Sequence, residues 1–341
     1  MSRARLLEDG ELDPPRHFSV EEAVLRCVDE GVSPPTLRIR RSRPALWIGL
    51  YQTPEEDVNL TRARDLGIPV IRRHNPGGAV YQDSGTLCYS LFFPKSFISD
   101  RWKLRDAEEL YSLFGAAAVR ALEKFGVRAA VSPVNDVVVA GRKVYGSAQV
   151  ELYSAFVHSG TFLLSCDLDR MAELLAPSAL KYADRGFTNV RDRVINLSEA
   201  VGRRVSTEEF ASVLVPEISA AAGFEFEPGT LTERERETAE YLFQKKYSTR
   251  EWTYREVSKT ARILSGRARK GTVTLALSME GDRISGVDLR GDFLVPESGA
   301  IEALGRQVRG RTIPEAVRIV RSLPLPGDLA DTISRLLEEQ S

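Results

Sequence analysis

The sequence predicts an α/β protein of the α+β kind in two parts, a larger mixed-sheet domain over residues 1–248 and a smaller α+β unit over 256–341. Three observations predict it. The chain has 341 residues, long for one core when domains run to roughly 150 residues. Short apolar runs alternate with segments of helical period as far as Tyr247. From Lys259 the composition turns basic, with Arg262, Arg267, Arg269 and Lys270 close together, before a hairpin pattern and three short helical ones. A unit of about 80 residues is near the lower limit for a self-sufficient core, so it is expected to pack on the larger domain.

The elements follow in order. Residues 1–16 are polar and end in Pro14-Pro15, reading as an unordered lead-in. Ser19 and Glu22 form a capping-box pattern that opens a helix to Glu30. Leu37–Arg41 alternates and Ala45–Tyr51 is apolar, so both read as strands. Asp57 to Leu66 reads as a helix stopped by Gly67. Ile68–Ile71 and Leu87–Phe93 read as strands on either side of a turn. Arg105 to Phe125 carries Leu110, Leu113, Phe114, Ala117, Ala121 and Leu122 on one face, an amphipathic helix ended by Gly126. Phe156–Leu164 is a strand, Leu168–Leu175 a short helix, and Val205–Ala222 a helix with Ser206 and Glu209 as its capping box. Glu233–Tyr247 is a charged helix. In the smaller unit, Gly271–Leu277 and Ile284–Leu289 form a hairpin, and helices follow at 298–308, 313–323 and 329–338.

A net charge of −1 excludes a strongly electrostatic nucleic-acid binder. Three dispersed cysteines, Cys27, Cys88 and Cys166, form neither a disulfide framework nor a zinc pattern. No apolar run approaches a membrane span and the first residues carry no leader pattern, so the expectation is a cytoplasmic monomer that binds neither membrane nor nucleic acid.

Two segments carry chemistry. Arg72-Arg73-His74-Asn75-Pro76-Gly77-Gly78-Ala79-Val80-Tyr81 sets two arginines before a glycine pair. Glycines let backbone approach a ligand, converging N–H groups hold an anion, and a guanidinium clamps phosphate bidentately. A plain tight turn has the same look. The second segment, Asn135-Asp136 to Gly146-Ser147-Ala148, reads as two short strands around an Ala140-Gly141-Arg142 turn, with Lys143 on the second.

Together these segments resemble the lipoate–protein ligase A family, whose pattern is an Arg-Arg-x-x-Gly-Gly-Gly-Ala-Val turn, then Asn-Asp, then a hairpin ending Lys-x-x-Gly-Ser-Ala. The ordered matches continue through His158–Leu164, Lys181-Tyr182, Val190–Leu197 and Lys246–Trp252, so the resemblance spans roughly residues 20 to 341. It implies a biotin/lipoate-ligase-type catalytic domain with a C-terminal accessory domain. The implied activity is ATP-dependent ligation of lipoate to a lysine of an acceptor protein through lipoyl-AMP, with Mg2+.

The resemblance implies that Lys143 is catalytic, beside the acyl carbonyl and the α-phosphate. Arg73 is implied to hold phosphate oxygens, with Gly77, Gly78, Ala79, Val80 and Tyr81 supplying backbone to the nucleotide. Asn135, Gly146, Ser147 and Ala148 complete the ATP and lipoyl-AMP site. Asp136 stays open between binding magnesium and orienting Lys143, and Asn135 between capping the turn and binding ligand. Arg72, His158 and Thr161 are further candidates, with a structural ion pair the alternative for Arg72 and a satisfied strand histidine for His158. Trp47, Leu87, Tyr89, Phe156 and Phe162 are candidates for an acyl tunnel, against plain core packing. An acceptor lysine of pKa near 10.4 is neutral in only about one molecule in a few thousand at pH 7, so the adenylate must persist. Lys181–Asn196 is the candidate lid. The acceptor is a lipoyl carrier: a lipoyl domain of a dehydrogenase complex, the glycine-cleavage carrier, or a dedicated lipoate-binding protein.

Two positions depart from the family pattern. Pro76 replaces the first glycine, removing an N–H donor and restricting Asn75, and Gln82 stands where histidine is usual. Two other readings compete. An octanoyl or lipoyl transferase needs a cysteine thiolate and no ATP, and Gly126–Val134, where that cysteine would lie, has none. A non-catalytic lipoyl-carrier-binding protein would not need Lys143.

Overall fold

The computed structural model describes residues 2–175, 190–255, 261–269, 271–294 and 298–340. In chain order the strands are β1 (Ser2–Leu12), β2 (Thr36–Ser42), β3 (Ala45–Ile48), β4 (Val70–Arg72), β5 (Val80–Gln82), β6 (Thr86–Pro94) and β7 (Ala129–Ser132). There follow β8 (Asp136–Val139), β9 (Arg142–Leu152), β10 (Ala155–Leu163), β11 (Phe224–Pro228), β12 (Arg262–Ala268), β13 (Gly271–Glu280) and β14 (Arg283–Gly291). They form an eight-stranded sheet of order β11-β1-β2-β6-β10-β9-β8-β7 and two three-stranded sheets, β4-β3-β5 and β12-β13-β14. β1 runs parallel to β2 and β11, whereas the other pairings in the large sheet are antiparallel. The fold is therefore the mixed α/β class expected.

In β6, Leu91, Phe92 and Phe93 are all buried because both faces of the sheet are covered. Helices Glu109–Glu123 and Thr207–Ala222 bury Leu91 and Phe93 on one face, and helix Pro14–Asp29 buries Phe92 and Val157 on the other. The small sheet β4-β3-β5 holds the arginine–glycine turn between β4 and β5.

Several boundaries differ from expectation. Residues 2–12 are a strand, not an unordered lead-in. Their partners begin at Thr36 and Phe224, beyond the reach of any local pattern. The first helix opens at Pro14, where a proline costs no helical hydrogen bond; Ser19 Oγ bonds back to the Arg16 carbonyl and caps nothing. The stretch 57–66 divides into Pro54–Asp57 and Leu60–Asp65, the second capped by Asn59 through the Arg62 N–H. The basic run 262–268 is strand β12. Most of the candidate lid, residues 181–189, lies outside the described residues. Its end is described: Val190–Arg193 is a helical turn, and the Ile195 N–H donates to the Lys143 carbonyl at 2.9 Å.

Helices Ser298–Val308, Ile313–Ser322 and Gly327–Glu338 back β12-β13-β14, around Val273, Leu275, Leu304, Val320 and Ile333. Tyr51 joins this cluster by stacking on Phe293 at 5.0 Å between ring centroids, and its carbonyl accepts from the Gly291 N–H at 2.9 Å. No helix among the described residues is long and apolar enough to cross a membrane.

Candidate active site

A cavity of about 410 Å³ opens where β8–β9, the arginine–glycine turn and β13 converge. Every expected site residue except Arg72 and His158 lines it. Lys143 Nζ lies 2.6 Å from Asp136 Oδ1. The pairing of Asp136 with Gly146 across β8 and β9 makes this contact. A Cβ at Gly146 would overlap Lys143 Cε and Nζ, so the glycine is what lets the lysine lie back across its own strand toward Asp136. Asn135 closes the hairpin mouth: its Nδ2 donates to the Ser147 carbonyl at 2.5 Å, and Ser147 Oγ donates to the Asn135 carbonyl at 3.1 Å.

On the opposite wall, Gly77 has φ of +101°, a conformation favouring glycine, and its carbonyl lies so close to Gly49 that no side chain fits there. The Arg73 guanidinium donates to the carbonyls of Trp47 (3.0 Å), Pro76 (3.1 Å) and Gly78 (2.8 Å), so it shapes the turn from beneath. Burial pulls Arg73 down to about 10, against the opposing fields of Glu21 and Asp57, and it stays cationic at neutral pH.

The two residues outside the cavity have structural surroundings. Arg72 donates to five carbonyls, those of Gly49, Leu50, Gln52, Trp252 and Thr253, tying the segment after residue 248 to the small sheet β4-β3-β5 and the turn after β3. This is not the ion pair weighed for it, since all five acceptors are neutral carbonyls. His158 is buried against Phe114, with its Nδ1 3.2 Å from Gln149 Oε1. Burial lowers it to about 3, so it is neutral and faces no solvent or ligand. Of the tunnel candidates only Trp47 lines the cavity; Leu87, Tyr89, Phe156 and Phe162 belong to the core.

Sequence reasoning missed the closed end of the cavity, where Phe18, Glu21 and Arg40 stand beside Trp47. Glu21 Oε2 accepts from Arg40 Nη2 at 2.5 Å, and Glu21 Oε1 accepts from Ser90 and Ser159. Burial alone would raise the Glu21 pKa, but Arg40, His74 and Arg38 outweigh it and hold it below the usual range. It also missed the contribution of the C-terminal unit, which brings Arg267, Arg269, Thr272 and Asp292 to the rim. Composition marks Arg267 and Arg269 as basic, but their place at the cavity is set by how the unit docks, through contacts that include Tyr51 on Phe293 and Arg290 on Thr53. All three cysteines are buried, with thiols that burial pushes up, and none lines the cavity.

Residues 13–219 match the family described as the lipoyl protein ligase A/B catalytic domain, and the chain belongs to that family. It is 29% identical over 309 residues to lipoate-protein ligase LplJ of Bacillus subtilis, covering 89% of this chain and 90% of that one. It is 30% identical over 283 residues to lipoate–protein ligase 1 of Staphylococcus aureus, covering 82% of each. Among solved structures, a lipoate-protein ligase A bound with ATP superposes with a TM-score of 0.64 at 29% identity, over 74% of this chain and 98% of that one. The bipartite ligase of Thermoplasma acidophilum, described with its E2 lipoyl domain, gives 0.65 at 29% identity, over 76% and 99%. LipL1 of P. falciparum in complex with lipoate gives 0.78 at 18% identity over 98% and 99%, a likeness of fold alone.

Proposed function

We propose that the chain is an ATP-dependent lipoate–protein ligase. The observation that carries this reading is the Lys143–Asp136 pair at 2.6 Å, seated by Gly146 and facing a glycine turn across one cavity. A carboxylate oxygen of lipoate attacks the α-phosphorus of ATP and pyrophosphate leaves. The neutral amine of an acceptor lysine then attacks the acyl carbon, AMP leaves, and the amine gives up a proton. Both steps concentrate negative charge, at phosphorus and then at the carbonyl oxygen, and a fixed ammonium lowers the barrier to each. Arginine would be a poor replacement for Lys143, since its planar fork does not occupy a point-charge position.

Arg73 supports the nucleotide wall by holding the carbonyls of residues 76 and 78, leaving the backbone of Gly77 to Tyr81 for the ligand. Asp136 would hold magnesium together with phosphate oxygens; one or two carboxylates suffice for that ion, and it supplies charge neutralisation there. The transferase alternative lacks a thiol in the cavity. Residues 1–248 are the catalytic domain in this reading and 256–341 the accessory domain. The acceptor is a lipoyl domain, a reading supported by the archaeal relative described with its E2 lipoyl domain. The protein acts as a monomer in the cytoplasm.

The test is exchange of labelled pyrophosphate into ATP. Lipoate-dependent exchange by the native chain, lost in Lys143→Ala, is the expected result. No exchange with any acid overturns the reading.

A further inference from the structure

Val190, Arg193 and Val194 line the cavity, whereas Asn196, two residues further on, does not. Asn196 stands at the N-cap of helix Leu197–Val201, where an asparagine ordinarily accepts from the first helical N–H groups. Its side chain makes no such bond. Instead its Oδ1 accepts from the Cys166 N–H at 3.0 Å and its Nδ2 donates to the Cys166 carbonyl at 2.8 Å, a two-point clamp on the backbone that leaves β10.

Both sides of the clamp lead to the reaction. On one side, the Ile195 N–H donates to the Lys143 carbonyl. β10 does not reach that far, since its last partner on β9 is Tyr145. On the other side, the Asp167 N–H donates to Asp83 Oδ2 at 2.9 Å, and the Leu164 and Ser165 N–H groups donate to the Gly85 carbonyl. Asp83 directly follows β5, the strand that ends the glycine turn. A Cβ at Gly85 would fall 2.3 Å from the Ser165 carbonyl oxygen, so these two segments lie too close for any side chain between them. Lys143 and the glycine turn belong to different sheets, and Asn196 joins the backbone of one to that of the other.

We propose that Asn196 is a positioning residue for the reaction, fixing Lys143 relative to the nucleotide turn by holding segment 194–198 against Cys166. The inference rests on the ligase reading. The ammonium is useful only where charge develops, and a shift of about 1 Å between the two walls is enough to slow the chemistry. Opening the clamp leaves each wall and its own ligand contacts in place, so the loss falls on kcat and not on KM.

The test measures kcat and KM for lipoate-dependent pyrophosphate exchange, beside a thermal scan, in the native chain, Asn196→Ala, Asn196→Asp and Ser198→Ala. Asn196→Asp has nearly the native shape and keeps the bond from the Cys166 N–H, but sets an oxygen against the Cys166 carbonyl. It decides the matter should Asn196→Ala fail to fold. Ser198→Ala is the control, since it removes only the hydroxyl that accepts from the Val205 N–H at 3.0 Å. The expected result is a kcat lower by about ten-fold in Asn196→Ala and several-fold in Asn196→Asp, with KM for ATP and lipoate within about two-fold of native and Ser198→Ala unchanged. Native kcat in folded Asn196 variants overturns the proposal and leaves the ligase reading standing. So does an equal fall in Ser198→Ala, or a rise in KM that accounts for the loss. A native chain without exchange removes the ligase reading and this proposal with it.

Discussion

The Lys143 ammonium lies 2.6 Å from the Asp136 carboxylate, across the two strands that open the cavity. Both residues are only partly buried, so the pair contributes little to stability and its value is positional. Asp136→Asn is expected to leave the melting temperature nearly unchanged while lowering kcat for lipoate-dependent exchange by about ten-fold or more, through a lysine no longer held in place and a carboxylate lost to magnesium. A thermal scan beside the exchange assay separates the two effects.

Gly146→Ala tests the same seat from the other side. The added methyl would collide with the end of the Lys143 side chain, which is flexible enough to swing away. Folding should survive and exchange should fall steeply, on the order of a hundred-fold, if the ammonium is displaced by an ångström or more. Retained activity in a correctly folded Gly146→Ala chain would show that the lysine does not need this position.

Arg72 should matter for stability. Removing its side chain leaves the carbonyls of Gly49, Leu50, Gln52, Trp252 and Thr253 without their shared donor. Arg72→Ala is expected to cost about 3 kcal/mol, read as a shift in the denaturation midpoint at constant slope. Arg72→Lys should recover only part of it, since one ammonium cannot reach five acceptors.

Acid should destabilise the protein through Glu22. Burial would raise this carboxyl, but Lys246, His74 and the Tyr247 hydroxyl hold it at about 2, down from 4.5. The folded pKa lies below the unfolded one, so its contribution is fully present above about pH 4.5 and is lost as pH falls toward 2. The contribution is on the order of 3 kcal/mol. Glu22→Gln should be less stable than the native chain at pH 7, and the gap should narrow as pH falls through that window. A gap that stays constant from pH 7 to 2.5 would contradict this assignment.

The legible part of the site was its linear part. The glycine turn and the Asn135–Ala148 hairpin are contiguous stretches, and their residues meet because short strands and tight turns bring near neighbours together. Arg40 and Glu21 were not legible, since one reads as a strand charge and the other as a helix charge until β2 and the first helix are packed face to face. Arg72 and Arg73 show the converse. The resemblance assigned Arg73 to phosphate and left Arg72 open to a structural role, and the alternation of side chains at the end of β4 sends Arg72 to the connecting segment and Arg73 beneath the turn.

By itself the sequence determined the mixed α/β class, the order of most elements and the placing of Lys143 on a hairpin beside Asn135-Asp136, because periodicity, turn chemistry and motif spacing are local properties. Tertiary structure alone decided that residues 2–12 join the sheet, that His158 is sealed in the core, and that β13 and its neighbours reach the cavity rim. It also decided the polarity of the cavity's closed end. Those outcomes depend on burial and long-range pairing, and whether a charged or polar side chain ends in water, in an ion pair or against a ligand is set only when distant segments pack.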